Sequence, residues 1–121
     1  MAWNFTADKP IYAQIAETLK RDILSGKYRL GEKLPTVRDL ATEAAVNPNT
    51  MQKAFSQLEQ EGLITTQRTA GRTVTADGPR LEEARRLMLE ELTGEYLKKI
   101  YQMGSTPQDA VQLIEKMEGD L

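Results

Sequence analysis

Neither cysteine nor histidine occurs anywhere in the 121 residues. Without thiols there is no disulfide framework and no thiolate metal site. Without imidazole the usual transition-metal ligand is gone, together with catalytic triads and His or Cys nucleophile schemes. An oxygen-only site from Asp and Glu is what remains, so no metal or other cofactor is expected. The chain also lacks a phosphate-cradling Gly-rich loop and a nucleophile and base pair, which leaves a hydrolase or transferase without support and makes an enzyme unexpected. No apolar run approaches the ~20 residues of a membrane span, and the opening Met1-Ala2-Trp3-Asn4-Phe5 lacks the regions of a signal peptide. A cytoplasmic protein without a membrane partner is therefore expected.

What is present is helical punctuation. Pro10 starts a first helix with Ile11, Ile15, Leu19 and Ile23 as its core stripe, and Gly26 stops it. Thr36 caps a second, short helix with Asp39 at the acidic capping-box position and Leu40, Ala41 and Ala44 as a small apolar face. Ala45-Val46 then leads straight to Asn47, which caps a third helix, and Pro48 suits its first position because the missing N–H costs nothing there. Met51, Ala54, Phe55 and Leu58 recur at helical spacing and form the buried stripe. The opposite face carries Asn49, Thr50, Gln52, Lys53 and Ser56. Asn and Gln pair in bidentate fashion with adenine, Thr bonds base or phosphate, and Lys reaches guanine or phosphate, so this face suits the reading of base edges. Taken alone it would equally suit a solvated surface helix. The short helix and tight turn before it make a helix-turn-helix.

After Glu61-Gly62, with Gly62 as left-handed cap, Leu63–Gln67 is β-prone, Arg68–Arg72 reads as a turn, and Thr73–Thr75 is β-prone again. The expectation is a hairpin wing whose tip carries Arg68 and Arg72. Tyr12-Ala13-Gln14-Ile15, Ser25-Gly26-Lys27-Tyr28, the run Gly31 to Ala41, Val46 to Thr50 and Leu58 to Ile64 together resemble the DNA-binding domain of the GntR family of bacterial transcription regulators, over about residues 9 to 75. The resemblance implies a winged helix bound to an operator, with Thr36 and Arg38 at the second helix, Asn47, Asn49, Thr50, Gln52 and Lys53 on the recognition helix, and Arg68, Thr69, Gly71 and Arg72 in the wing as DNA contacts. This chain has Pro48 and Gln52 where many members have Arg, and Thr69 where they have a wing Gly, so base preference does not carry over.

About forty residues follow the wing in this sequence, so a short tail rather than a large effector domain is expected there. Arg80 to Met103 reads as one helix with Leu81, Ala84, Leu87, Met88, Leu92, Tyr96, Ile100 and Met103 at three- and four-residue intervals. Gly104 ends it, and Thr106-Pro107-Gln108-Asp109 opens a last helix with Ala110, Leu113, Ile114 and Met117 on one side. The short tail resembles the YtrA subfamily, in which two such helices form the homodimer interface and the regulated operons commonly concern transport. A thin hairpin cannot bury so many apolar positions against itself, which independently points to association through Leu81, Ala84, Leu87, Met88, Leu92, Tyr96, Ile100, Leu113, Ile114 and Met117. Trp3 and Phe5 are expected to pack over the core or this tail.

The net charge of −2 is low for a partner of nucleic acid, but residues 80 to 121 hold six Lys/Arg against nine Asp/Glu, so the tail supplies the acidity. The reading is a mainly α chain with a winged helix-turn-helix of three helices plus hairpin over residues 1–77 and a two-helix dimerisation region over 78–121. Its expected role is a homodimeric repressor on an inverted-repeat operator of double-stranded DNA. The competing reading is a winged-helix protein-interaction module without specific DNA binding. A small-molecule effector, if one exists, would have to bind in the tail or where tail and winged helix join, and no polar cluster in the sequence marks the place.

Overall fold

Ile15, Leu19 and Ile23 stand four residues apart, and in the computed structural model, which describes residues 3–69 and 71–120, they are buried on one face of α1 (Ile11–Leu24). Ile11, expected in the same stripe, is exposed, because it opens the helix and burial begins one turn later. The Thr36 hydroxyl accepts from the Asp39 N–H at 3.0 Å and starts α2 (Val37–Ala44). Ala45 ends that helix in the left-handed region, φ 56° and ψ 47°. The next helix, α3 (Pro48–Gln60), follows at once, with the Asn47 side chain accepting from the Asn49 N–H at 2.8 Å. Met51, Ala54, Phe55 and Leu58 of α3 are almost wholly buried, and α3 packs on both α1 and α2, so its apolar stripe is the middle of the core. Its polar N-terminal turn is thereby held on a fixed element.

Gly62, at φ 77°, turns the chain out of α3 into β1 (Ile64–Gln67), which pairs antiparallel with β2 (Gly71–Val74) in the register Ile64 to Val74 and Gln67 to Gly71. The second strand was expected at Thr73–Thr75. It starts at Gly71 because the hairpin register carries the ladder two residues nearer the tip, and Ala70, placed in the expected turn, lies outside the described residues. On the other edge of β2, Lys33 bridges Thr73, the Leu34 N–H donates to the Arg72 carbonyl at 2.9 Å, and the Val74 N–H donates to the Glu32 carbonyl at 2.9 Å. The segment before α2 therefore braces the wing, which has no free edge on that side.

The chain divides into compact units of residues 1–85 and 86–121. Helix α4 (Gly78–Gln102) begins in the first. It starts two residues before the expected Arg80, since the Asp77 carboxylate accepts from the Arg80 N–H at 3.1 Å and Pro79 needs no partner in a first turn. The Arg80 guanidinium donates to the Glu61 carbonyl at 2.5 Å and fills the space a side chain on Gly62 would need. Gly62 thus serves both a left-handed turn and a close approach. In the second unit Gly104, at φ 77°, ends α4, and Thr106 caps α5 (Pro107–Glu118) by accepting from the Asp109 N–H at 3.2 Å. Of α4 no residue is buried, and of α5 only Ala110 is.

Ala45 offers a small test of the turn. A left-handed conformation costs an L-residue roughly 1–2 kcal/mol, against about 0.4–1 kcal/mol of unfolded-state entropy that glycine adds. Ala45→Gly is expected to stabilise the winged helix by about 0.5 kcal/mol, the difference of those two effects, in urea unfolding. A destabilised variant would mean that the methyl group makes contacts outweighing the backbone gain.

Candidate nucleic-acid interface

The exposed start of α3 follows from its caps. Because the Asn47 oxygen is taken up by the Asn49 N–H, the free part of the Asn47 side chain is its NH2 group. Asn49 is exposed, Thr50 and Gln52 are half-buried, and the Gln52 amide donates to the Ser56 hydroxyl at 3.4 Å, a long bond that a better partner can displace. The Lys53 ammonium lies 3.9 Å from the centre of the Tyr12 ring, within cation–π range, so this long side chain is held on the aromatic face. Tyr12 was not singled out as a site residue in the sequence; its partner lies forty-one positions away, and no local pattern joins the two.

Thr36 uses its oxygen as the α2 cap, while Arg38, the second residue of that helix, is exposed and makes no ion pair or side-chain hydrogen bond among the described residues. In the wing, Arg68 and Thr69 are exposed in the turn, and Gly71 opens β2 at φ 74°. Arg72 is displaced from its expected place. It stands in β2 opposite Thr66, its Nε donates to the Glu59 carboxylate at 2.8 Å, and its guanidinium lies 5.4 Å from the Phe55 ring centre. Glu59 also accepts from the Thr66 hydroxyl at 2.9 Å. With the Arg72 side chain only 24% exposed, its charge is spent on tying the wing to α3 rather than offered at the tip.

Lys33 is the cation that motif reading passed over. It is exposed, sits at the bridge to Thr73, and its Cε passes 3.9 Å from where a Gly71 Cβ would stand, so the amine runs beside the wing. Ion pairs separate the cations of the winged helix into two groups. Lys9, Lys20, Arg21, Lys27 and Arg72 face carboxylates within 4.0 Å. Lys33, Arg38, Lys53, Arg68 and Arg29 make no ion pair among the described residues; the first four belong to the wing brace, α2, α3 and the wing turn, and Arg29 to the loop after α1. A chain near neutrality thereby keeps most of the uncompensated charge of its winged helix on the elements that carry the polar α3 face, which is what phosphate attraction requires. Among the described residues no cluster of acidic side chains could hold a metal ion, and no helix is long and apolar enough to cross a membrane.

Residues 11–74 match the family described as bacterial regulatory proteins, gntR family. The chain is 30% identical over 109 residues to the HTH-type transcriptional regulator YhcF of Bacillus subtilis, covering 90% of each. It is 42% identical over 83 residues to the HTH-type transcriptional repressor YtrA of the same organism, a match covering 68% of this chain and 64% of that protein. Among solved structures, a GntR family transcriptional regulator from Listeria monocytogenes has a TM-score of 0.85 at 34% identity, covering 93% of this chain and 98% of that one. The DNA-binding domain of AraR in complex with operator ORR3 has a TM-score of 0.54 at 29% identity, covering 62% of this chain and 88% of that one. Fold, capped recognition helix and these matches agree: the chain belongs to the gntR family of bacterial regulatory proteins, in its YtrA-type branch, and is a DNA-binding transcriptional regulator.

Proposed function

We propose that the chain works in the cytoplasm as a homodimeric repressor, without enzymatic activity, and binds an inverted-repeat operator of a transport operon. The observation that carries the reading is the exposed, doubly anchored start of α3, where Asn49, Thr50 and Gln52 present amide and hydroxyl groups on an element fixed by a buried stripe. In this arrangement those residues and Lys53 enter the major groove. Thr36, Arg38 and the Asn47 cap set the backbone position, while Arg68, Thr69 and Gly71 lie in or beside the minor groove. Arg72 acts on DNA only through the wing it anchors, and Lys33 joins the phosphate contacts. The repressor assignment is supported by the likeness to YtrA, and operator binding by the likeness to the AraR domain.

The domain reading is a winged helix over 1–77 followed by a dimerisation region over 78–121. Leu81, in that region, lies against its own winged helix, so the pairing surface is assigned to Ala84, Leu87, Met88, Leu92, Tyr96, Ile100, Leu113, Ile114 and Met117. Leu89, Tyr101, Met103 and Val111 add exposed apolar area.

Selection of genomic DNA fragments by the purified protein is expected to recover a short inverted repeat beside transport genes. Recovery of random fragments alone would favour a winged helix that binds protein instead. Phosphate contact is tested separately. Arg38→Ala should weaken binding to every sequence and reduce the magnitude of the log–log salt slope by about 1 per protomer, because one fewer cation displaces counterions. An unchanged slope would remove Arg38 from the interface.

A further inference from the structure

Where α4 sets out from the winged helix there is a cavity of about 470 Å³. Its floor is apolar: Ile23 and Leu24 at the end of α1 are buried, and Leu81 on the first turns of α4 is half-buried. Leu30, in the loop after α1, closes one side, its methyl 3.6 Å from the point a Gly78 Cβ would occupy, yet half of its surface stays open. The rim is charged. Arg29 and Arg85 are exposed, and neither makes an ion pair among the described residues, while Glu82 is the acid in the same wall. Tyr28 also lines the cavity, and burial pushes its phenol above the usual range, so its hydroxyl remains neutral and able to donate.

A volume of this size falls within the ~300–1,000 Å³ of small-molecule sites, which combine apolar walls with a few polar groups that orient the ligand. Among the lining side chains, two guanidinium groups stand against one carboxylate, an excess of one positive charge in the lining itself, while the Glu32 carboxylate nearby accepts from the Arg29 N–H at 2.9 Å. Guanidinium groups pair with carboxylates in planar, bidentate fashion, so the complementary guest has one such group and an apolar body. We propose that this cavity binds a small organic monoanion of that kind, a medium-chain or aromatic carboxylate, as the regulatory ligand of the protein. All of its walls belong to the first compact unit, and Arg85, which lines it, is the last residue of that unit. A guest touching both the α1 loop and α4 changes the fit between them at the joint from which the chain continues into the tail. Where that change alters operator affinity, linkage requires the guest's own affinity to differ by the same factor between the free and the DNA-bound protein. Ligand binding stands independently of the proposed function, whereas its effect on the operator rests on that reading.

The probe is octanoate, titrated into the full-length 15N-labelled protein, with 1-octanol as the neutral control. Saturable amide shifts are expected over residues 23–30 and 81–85 with a Kd below about 1 mM, and octanol should bind at least about tenfold more weakly. The double variant Arg29→Ala, Arg85→Ala should lose octanoate affinity by about tenfold or more while binding the operator like the parent when no octanoate is present. Absent shifts, shifts confined to the tail residues 87–117, or equal binding of octanol would overturn the site. Retained octanoate binding with an unaltered operator Kd would overturn its regulatory role. Failure of the ligand-free parent to bind any operator would strike the proposed function and leave the octanoate result standing.

Discussion

Leu92→Glu combined with Ile114→Glu in the full chain is expected to leave the winged helix folded, convert the protein to a monomer and lower operator affinity by ~10²–10⁴-fold. Both residues are more than half exposed, so neither substitution opens a hole in the protomer. Within the tail unit Leu87, Leu89, Leu113 and Met117 are exposed as well, and α4 has no buried residue at all. So much apolar surface in one stretch is the ground on which the association site is proposed there. Fully burying an exposed side chain of this kind contributes ~1.5–3 kcal/mol, and these are about half exposed, so about ten of them contribute on the order of 7–15 kcal/mol, comparable with the ~4–15 kcal/mol of freedom lost when two protomers join. Two charges placed in that surface reverse the balance. The DNA consequence is one of connectivity, since in a dimer the second half-site is met at a high effective concentration and in a monomer it is not. Sedimentation and operator binding on the same samples decide the matter. A variant that stays dimeric would move the interface elsewhere, and a monomer that binds as tightly as the parent would refute the two-half-site mechanism.

Asn49→Ala should cost ~1–3 kcal/mol on the specific operator and relax preference at one or two positions, with non-specific binding nearly unchanged. Asn49 lends its backbone N–H to the Asn47 cap, and that bond survives the substitution, so the helix start is preserved while the exposed amide is removed. The distinction from a solvated face lies in selectivity. Competition binding that shows equal losses on operator and random DNA would place Asn49 outside the base contacts. Gln52 provides a comparison, because its amide must leave the Ser56 hydroxyl before it can reach a base.

Much of this architecture could be read from the sequence wherever the signal is local. Thr36, Asn47 and Thr106 cap the helices they were expected to cap, and Gly62 and Gly104 end the helices they follow, because capping and left-handed turns are settled within a few residues. Arg72 shows the limit. Its place depends on hairpin register, which the turn fixes and composition does not, and two residues of difference move it from the tip to an ion pair with Glu59. Lys33 and Tyr12 were not picked out because their roles arise from neighbours distant in the chain, Thr73 and Lys53. The cavity has the same origin, since Ile23, Tyr28 and Leu81 share no motif and come together only in the folded chain. Helix periodicity likewise placed Leu81 with the tail stripe, although its side chain lines that cavity.

The central claim, a dimer that reads two half-sites, is tested most directly by sedimentation equilibrium of the full chain with a duplex carrying its selected inverted repeat. The account predicts two protomers per duplex, with one half-site scrambled costing as much affinity as the loss of dimerisation. One protomer per duplex at full affinity, or indifference to the scrambled half-site, would contradict it.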